Sequence, residues 1–147
     1  EKQSRAGLDN KSRKVIVIMY TIANATEEEM DFLISQSKSE DWNPGINDGG
    51  AFYIADPKGF FIGKLDGEPI SSIAGVNYGN FGFMGLYVVK NTYRGKGYGL
   101  PIFKKAMEHL GDINIGLYAA LAEVENYILF LKRFSSFLYC KSYLPGK

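Results

Sequence analysis

The chain has 147 residues, enough for one domain, and 46% of them are apolar, enough for a sizeable core. Its 17 Lys and Arg nearly cancel 16 Asp and Glu, which excludes a nucleic-acid binder that works by bulk basic charge. One cysteine, Cys140, excludes an internal disulfide framework and a cysteine-rich zinc site, and one histidine, His109, excludes a multi-histidine metal centre, so no metal is expected.

Residues 1–13 are polar and read as a flexible N-terminal segment ahead of one domain over 14–147. They carry no secretory pattern, and no apolar run approaches the roughly 20 residues that span a bilayer. A cytoplasmic protein without membrane contact is the expectation. "KVIVIMYTIA", 14–23, is rich in β-branched residues and predicts a first strand. "NATEEEMDFLISQSKSEDW" predicts a helix, with Thr26 and Glu29 at capping-box spacing and Met30, Leu33 and Ile34 as its apolar stripe. "NPGINDGG" predicts a loop. The next forty residues, from Ala51 to Lys90, predict consecutive strands broken at "DPKG", "DGEP" and "YGN", an antiparallel meander with Tyr53, Phe60, Phe61, Phe81 and Phe83 in its core.

A helix follows from about Tyr98 to Leu110. Its apolar positions are Leu100, Phe103, Ala106, Met107 and Leu110, with Gly111 placed as a C-terminal cap. His109 reads as a solvated residue favoured by the last helical turn. "INIGLYAAL" predicts a strand, "AEVENYILFLKRF" a helix, and "SFLYCKSYL" a last strand that places Cys140 in the core. The class is α+β around a mostly antiparallel sheet flanked by helices.

Between the meander and the helix stands "NTYRGKGYG", 91–99. A strand that enters a helix through glycines leaves backbone N–H groups unpaired at the positive end of the helix dipole, which suits a phosphate. Gly95, Gly97 and Gly99 permit unusual backbone angles, and Arg94 and Lys96 add charge. The spacing fits neither a Walker loop nor a dinucleotide fingerprint. On local pattern alone, a pyrophosphate cradle and a plain tight turn both remain open.

"VVKNTYRGKGYG" resembles the coenzyme-A signature of the GNAT superfamily of acetyl-CoA-dependent N-acetyltransferases, Arg/Gln-x-x-Gly-x-Gly/Ala, met by Arg94, Gly97 and Gly99. The similarity runs from about Val15 to Tyr127. It implies a GNAT acyl-CoA N-acyltransferase fold, acetyl-CoA as cosubstrate, and transfer of acetyl to a primary amine by direct attack in a ternary complex. It also implies roles. The N–H groups from Arg94 to Gly99, through Gly95, Lys96, Gly97 and Tyr98, would hold the pyrophosphate. Main-chain groups of Tyr87 and Val89 would pair with the pantetheine arm, and an N–H near Val88 or Val89 would polarise the thioester carbonyl. Asn126 would face the pantetheine, and Tyr127 would protonate the leaving thiolate.

The resemblance weakens in two places. The fourth strand, "FGFMGLYVV", lacks the glutamate that many relatives use as a base, which leaves Asp41, Asp48, Glu68 or ordered water. After Tyr127 the family's Tyr-x-x-x-Gly-Phe is missing, and a second alignment through "FLKRFSSF" puts Leu131 in the acid position. The tail has room for one strand where the family has two, so the C-terminal part of the fold is expected to be incomplete, with a homodimer as one way to complete it. Two rival readings follow: a catalytically impaired module that binds or senses CoA, and an assembly scaffold. The acceptor is a small-molecule amine or a protein amine. Trp42, in the loop after the first helix, reads equally as packing or as a wall of the acceptor site.

Overall fold

The computed structural model describes residues 18–42, 44–45, 48–119 and 138–142. Among these residues six strands form one sheet in chain order: β1 Tyr20–Asn24, β2 Phe60–Leu65, β3 Glu68–Asn77, β4 Phe81–Val89, β5 Asn114–Ala119 and β6 Leu138–Ser142. β1 to β4 are antiparallel, whereas β5 runs parallel to β4 and β6 parallel to β5. The expected meander is therefore present, and the single strand expected in the tail is β6. The expected helix over 122–134 lies outside the described residues.

Among the described residues, α1 Met30–Ser39 and α3 Gly99–Leu110 cover the two faces of the sheet, and α2 Asp48–Ala55 lies against α1. α1 buries Met30 and Leu33 against Phe60, Ile62, Ala74 and Val76 on one face, and its Ile34 is buried beside Gly49 of α2. α3 buries Ile102, Phe103, Ala106, Met107 and Leu110 against Phe61, Ile73, Met84, Ile115 and Leu117 on the other. Each large side chain so buried stabilises the fold by about 2 kcal/mol. The period-2 alternation of β2 explains the two layers, because Phe60 and Ile62 face α1 while Phe61 faces α3.

Local signals held in several places. Thr26 N–H donates to Glu29 Oε2 at 3.0 Å and Glu29 N–H to Thr26 Oγ1 at 3.3 Å, a reciprocal box at a tight turn just ahead of α1. Asp66 and Gly67 both have positive φ, 50° and 88°, as a two-residue hairpin between β2 and β3 requires. Gly111 ends α3 at φ 65°.

Four expectations need correction. Residues 48–50, expected as the end of a loop, and Ala51–Ala55, expected as strand, together form α2. Asp48 starts that helix and accepts the Gly45 N–H at 2.6 Å, and a Cβ on Gly49 would stand 3.3 Å from Ile34, so the glycine lets α2 lie against α1. Aromatic and β-branched content suggested a strand, but packing on α1 decided the outcome. Tyr53 accordingly sits on a helix, half-buried over Phe60. Phe81 is 42% exposed near the sheet's end rather than in the core, and Leu100 is 42% exposed while Ile102 takes its place on the buried face of α3. His109 is not simply solvated: its Nε2 lies 2.7 Å from Asp56 Oδ2, and its ring meets the edge of Phe61. The side chain of Cys140 lies outside what is described.

Candidate active site

The site begins where β4 parts from β5. Their pairing covers Phe81–Met84 against Asn114–Leu117, and beyond Met84 the register continues only with β3. There Ala74 faces Gly85 but Ser72 faces Val88, so Leu86 and Tyr87 together oppose Ile73. This is a β-bulge, and Leu86 makes it by adopting φ +49°. The extra residue resets the side-chain alternation. Met84 and Tyr87 both face α3, while Leu86 faces α1 beside Phe32 and Tyr53. Ser72 Oγ donates to the Leu86 carbonyl at 3.0 Å.

Past the bulge the ladder resumes. Lys90 N–H donates to the Ile70 carbonyl at 2.9 Å, and Val88 pairs with Ser72. Alternation in an antiparallel ladder therefore turns the N–H and C=O of Val89 away from β3, toward the side that β5 has left. The Val89 carbonyl is taken by Arg94 Nε at 2.7 Å.

The chain then makes a short 3-10 turn, Asn91–Tyr93, and enters the glycine loop. Gly95 and Gly97 have φ of 73° and 89°, angles that suit glycine, and a Cβ on either would meet nothing within 4 Å. The loop is thus open on its outer side. Gly99, the first residue of α3, is glycine for a different reason: a Cβ there would run into the Tyr87 hydroxyl and stand 3.4 Å from Val89 Cγ2. α3 therefore starts directly beneath β4. Pro101 in its first turn costs nothing, because the N–H it lacks would have no intrahelical partner. No hydrogen bond within the described residues takes up the N–H of Gly95, Gly97 or Gly99. Open N–H donors, positive helix end and absent side chains suit a pyrophosphate.

A hydroxyl chain supports the loop from below. Tyr20 Oη lies 2.8 Å from Ser71 Oγ and donates to the Tyr98 carbonyl at 3.0 Å, with the two tyrosine rings 4.9 Å apart. Burial raises the Tyr20 phenol above its ordinary value, and the hydrogen bond from Ser71 offsets part of that rise. Gly63 makes room for it, since a Cβ there would collide with both hydroxyls.

The structure brings Gly99 close to Tyr87 and Val89 and Arg94 onto the Val89 carbonyl, with Val88, Gly95, Lys96, Gly97 and Tyr98 between them in the chain. Two cations behave differently from a simple phosphate ligand. Arg94 turns inward, bonding the Val89 carbonyl and forming an ion pair with Glu40 at the end of α1. Lys96 holds its ammonium 5.6 Å over the Tyr93 ring. Of the three acids considered as bases, Glu68 pairs with Lys90 at 3.1 Å and accepts from the Tyr93 hydroxyl, and Asp48 accepts the Gly45 N–H. Asp41 holds φ 59° just past α1. Asn126 and Tyr127 lie outside the described residues. Trp42 is 41% exposed.

Sequence reasoning missed Glu40, Ser72, Leu86 and Tyr20. Gly63 inside a strand was a signal of close approach that could have pointed to Tyr20 and Ser71. Leu86 carries no such signal.

The chain is 33% identical over 109 residues to a holothin acyltransferase from Pseudoalteromonas sp. (strain SANK 73390), covering 74% of this chain but only 37% of that protein's length. Among solved structures, a GNAT-family protein from Xanthomonas campestris pv. campestris superposes with TM-score 0.66 at 18% identity, over 87% of this chain and 95% of that one. A protein from Clostridium acetobutylicum described as a predicted acetyltransferase, solved with acetyl-CoA, superposes with TM-score 0.58 at 16% identity, over 88% and 96%. These two share the fold. The profile of the acetyltransferase (GNAT) family matches residues 19–129, so the chain belongs to the GNAT family.

Proposed function

We propose that the protein is an N-acetyltransferase that moves the acetyl group of acetyl-CoA to a primary amine by direct attack. The observation that carries this reading is the shared position of two features. The strand edge left by β5 beyond Met84 and the open glycine loop meet at Gly99, beneath Tyr87 and Val89. A pyrophosphate on the loop would leave the pantetheine to run along that edge.

Acetyl-CoA would supply the thioester whose carbonyl carbon accepts the amine lone pair; a C–N bond forms, the C–S bond breaks, and CoA leaves as the thiolate. The chain's part is to hold and to polarise. N–H groups from Gly95 to Gly99 take the phosphates, with main-chain groups of Tyr87 and Val89 along the pantetheine and Asn126 facing it. The N–H of Val88 or Val89 stabilises the developing oxyanion, and the turn of Val89 away from β3 favours Val89. Tyr127 returns a proton to the thiolate. The attacking amine must first lose its own proton, because an alkylammonium has a pKa near ~10. Acceptors in this reading are small-molecule or protein amines.

Calorimetric titration with acetyl-CoA, followed by turnover on a panel of amines, tests the proposal. Saturable binding that Gly97→Glu abolishes, with turnover that Tyr127→Phe slows at unchanged acetyl-CoA affinity, is expected. Binding without turnover on any amine would favour the impaired CoA-binding module, which the acid-free β4 motivates.

A further inference from the structure

We propose that Ser72 is a positioning residue for acyl transfer: its hydroxyl holds the Leu86 carbonyl and so fixes the bulge that aims the Val89 N–H. The inference rests on the reading of β4 as the acyl-binding strand. Leu86 is a non-glycine residue at φ +49° in the middle of a strand. Such a residue relaxes toward the extended region unless its surroundings hold it. The Ser72 hydroxyl is what the structure places there, 3.0 Å from the Leu86 oxygen and fully buried.

The same residue grips the bulge twice. Its backbone pairs with Val88 on one side of the irregularity, and its side chain bonds Leu86 on the other. Two adjacent serines of β3 are fully buried and each hydroxyl has its own partner, Ser71 with the Tyr20 hydroxyl and Ser72 with the Leu86 carbonyl, so the Ser72 hydroxyl serves a polar task that an alanine could not. Without the bulge, alternation would carry Tyr87 to the α1 face and turn Val89 through half a period. The donor would then face β3 instead of the edge opposite. Ser72 thus acts through Leu86 and touches neither substrate.

The test uses Ser72→Ala, Ser72→Cys and Ser72→Thr in the full chain. Backbone amide shifts of Leu86 to Val89 are measured without ligand, and kcat and KM for acetyl-CoA with any amine the wild type turns over. We expect Ala and Cys to move those amide shifts and to lower kcat about tenfold, with the acetyl-CoA KM within about twofold of wild type, the loss expected when one oxyanion donor is partly misaimed. Thr, which keeps the hydroxyl, restores both. Cys is close to Ser in size, so it carries the test where the Ala variant fails to fold. Amide shifts unchanged in Cys, or kcat unchanged while the shifts move, overturns the proposal. A wild type that binds no acetyl-CoA would instead sink the proposed function, and the amide shifts would still report whether Ser72 sets the bulge.

Discussion

Glu40, the residue just past α1, is ion-paired with Arg94, the first residue of the glycine signature, 54 positions later in the chain. Arg94 uses a second nitrogen to bond the Val89 carbonyl at 2.7 Å. One guanidinium therefore ties the loop both to a helix and to the end of β4. In the proposed reading it shapes the cradle and would leave the phosphates to main-chain donors.

Removing either partner should loosen that tie. Arg94→Ala and Glu40→Gln are each expected to weaken acetyl-CoA binding a fewfold, in line with a part-exposed pair worth about 1 kcal/mol or less. Arg94→Lys should resemble Ala, because an ammonium cannot span both partners. Calorimetry distinguishes this from direct phosphate contact: if Glu40→Gln tightens acetyl-CoA while Arg94→Ala loosens it, the guanidinium is itself a phosphate ligand.

At Gly97 the obstacle to substitution is conformational. A Cβ would meet nothing, but φ is 89°. Gly97→Ala should let the free loop relax away from this angle, so that regaining it on binding costs about 1–2 kcal/mol of left-handed strain and weakens acetyl-CoA about tenfold. Gly97→Asn should be milder, since asparagine visits that region more readily. Equal affinity for wild type and Ala would mean that the loop does not hold this shape when ligand binds.

Gly63 should be intolerant for a steric reason. Gly63→Ala sets a methyl against the hydroxyls of Tyr20 and Ser71, so a loss of about 2 kcal/mol in stability is expected from overpacking. In a Tyr20→Phe background the same change should cost measurably less, because one hydroxyl is gone. Urea unfolding of the four proteins in this cycle checks it. Strict additivity would show that the two residues do not meet.

Acid should find a weak point at Asp56. Burial alone would raise its carboxyl, but hydrogen bonds from His109 and from the Asn77 and Lys58 N–H groups prevail and hold it below its ordinary value. A depressed acid contributes stability above its unfolded value, near ~4, and loses it as pH falls through the folded value. Asp56→Asn should therefore lower stability at neutral pH and flatten its decline below about pH 4. Parallel wild-type and variant stability curves from pH 6 to 3 would refute this.

The sequence by itself determined whatever depends on near neighbours in the chain. The Thr26–Glu29 box, the Asp66–Gly67 hairpin, the Gly111 cap and the glycine loop ahead of an amphipathic helix were all legible. In each case the deciding contacts or angles lie within a few residues. Two local readings failed because tertiary contact outweighed propensity. Ala51–Ala55 is strand-like in composition but helical against α1, and Leu100 fits the apolar period but gave way to Ile102 once the face of α3 was set by the sheet.

Only the tertiary structure decided the finer shape of the site. The bulge at Leu86 has no mark in its own residues, because its support comes from Ser72 on the neighbouring strand. Arg94 meets Glu40, and His109 meets Asp56 53 positions away, only after the helices dock on the sheet. The motif suggested a place for phosphate. Strand pairing decides where the thioester would lie relative to it, because the direction of a main-chain N–H is set by which neighbour takes the alternate bonds.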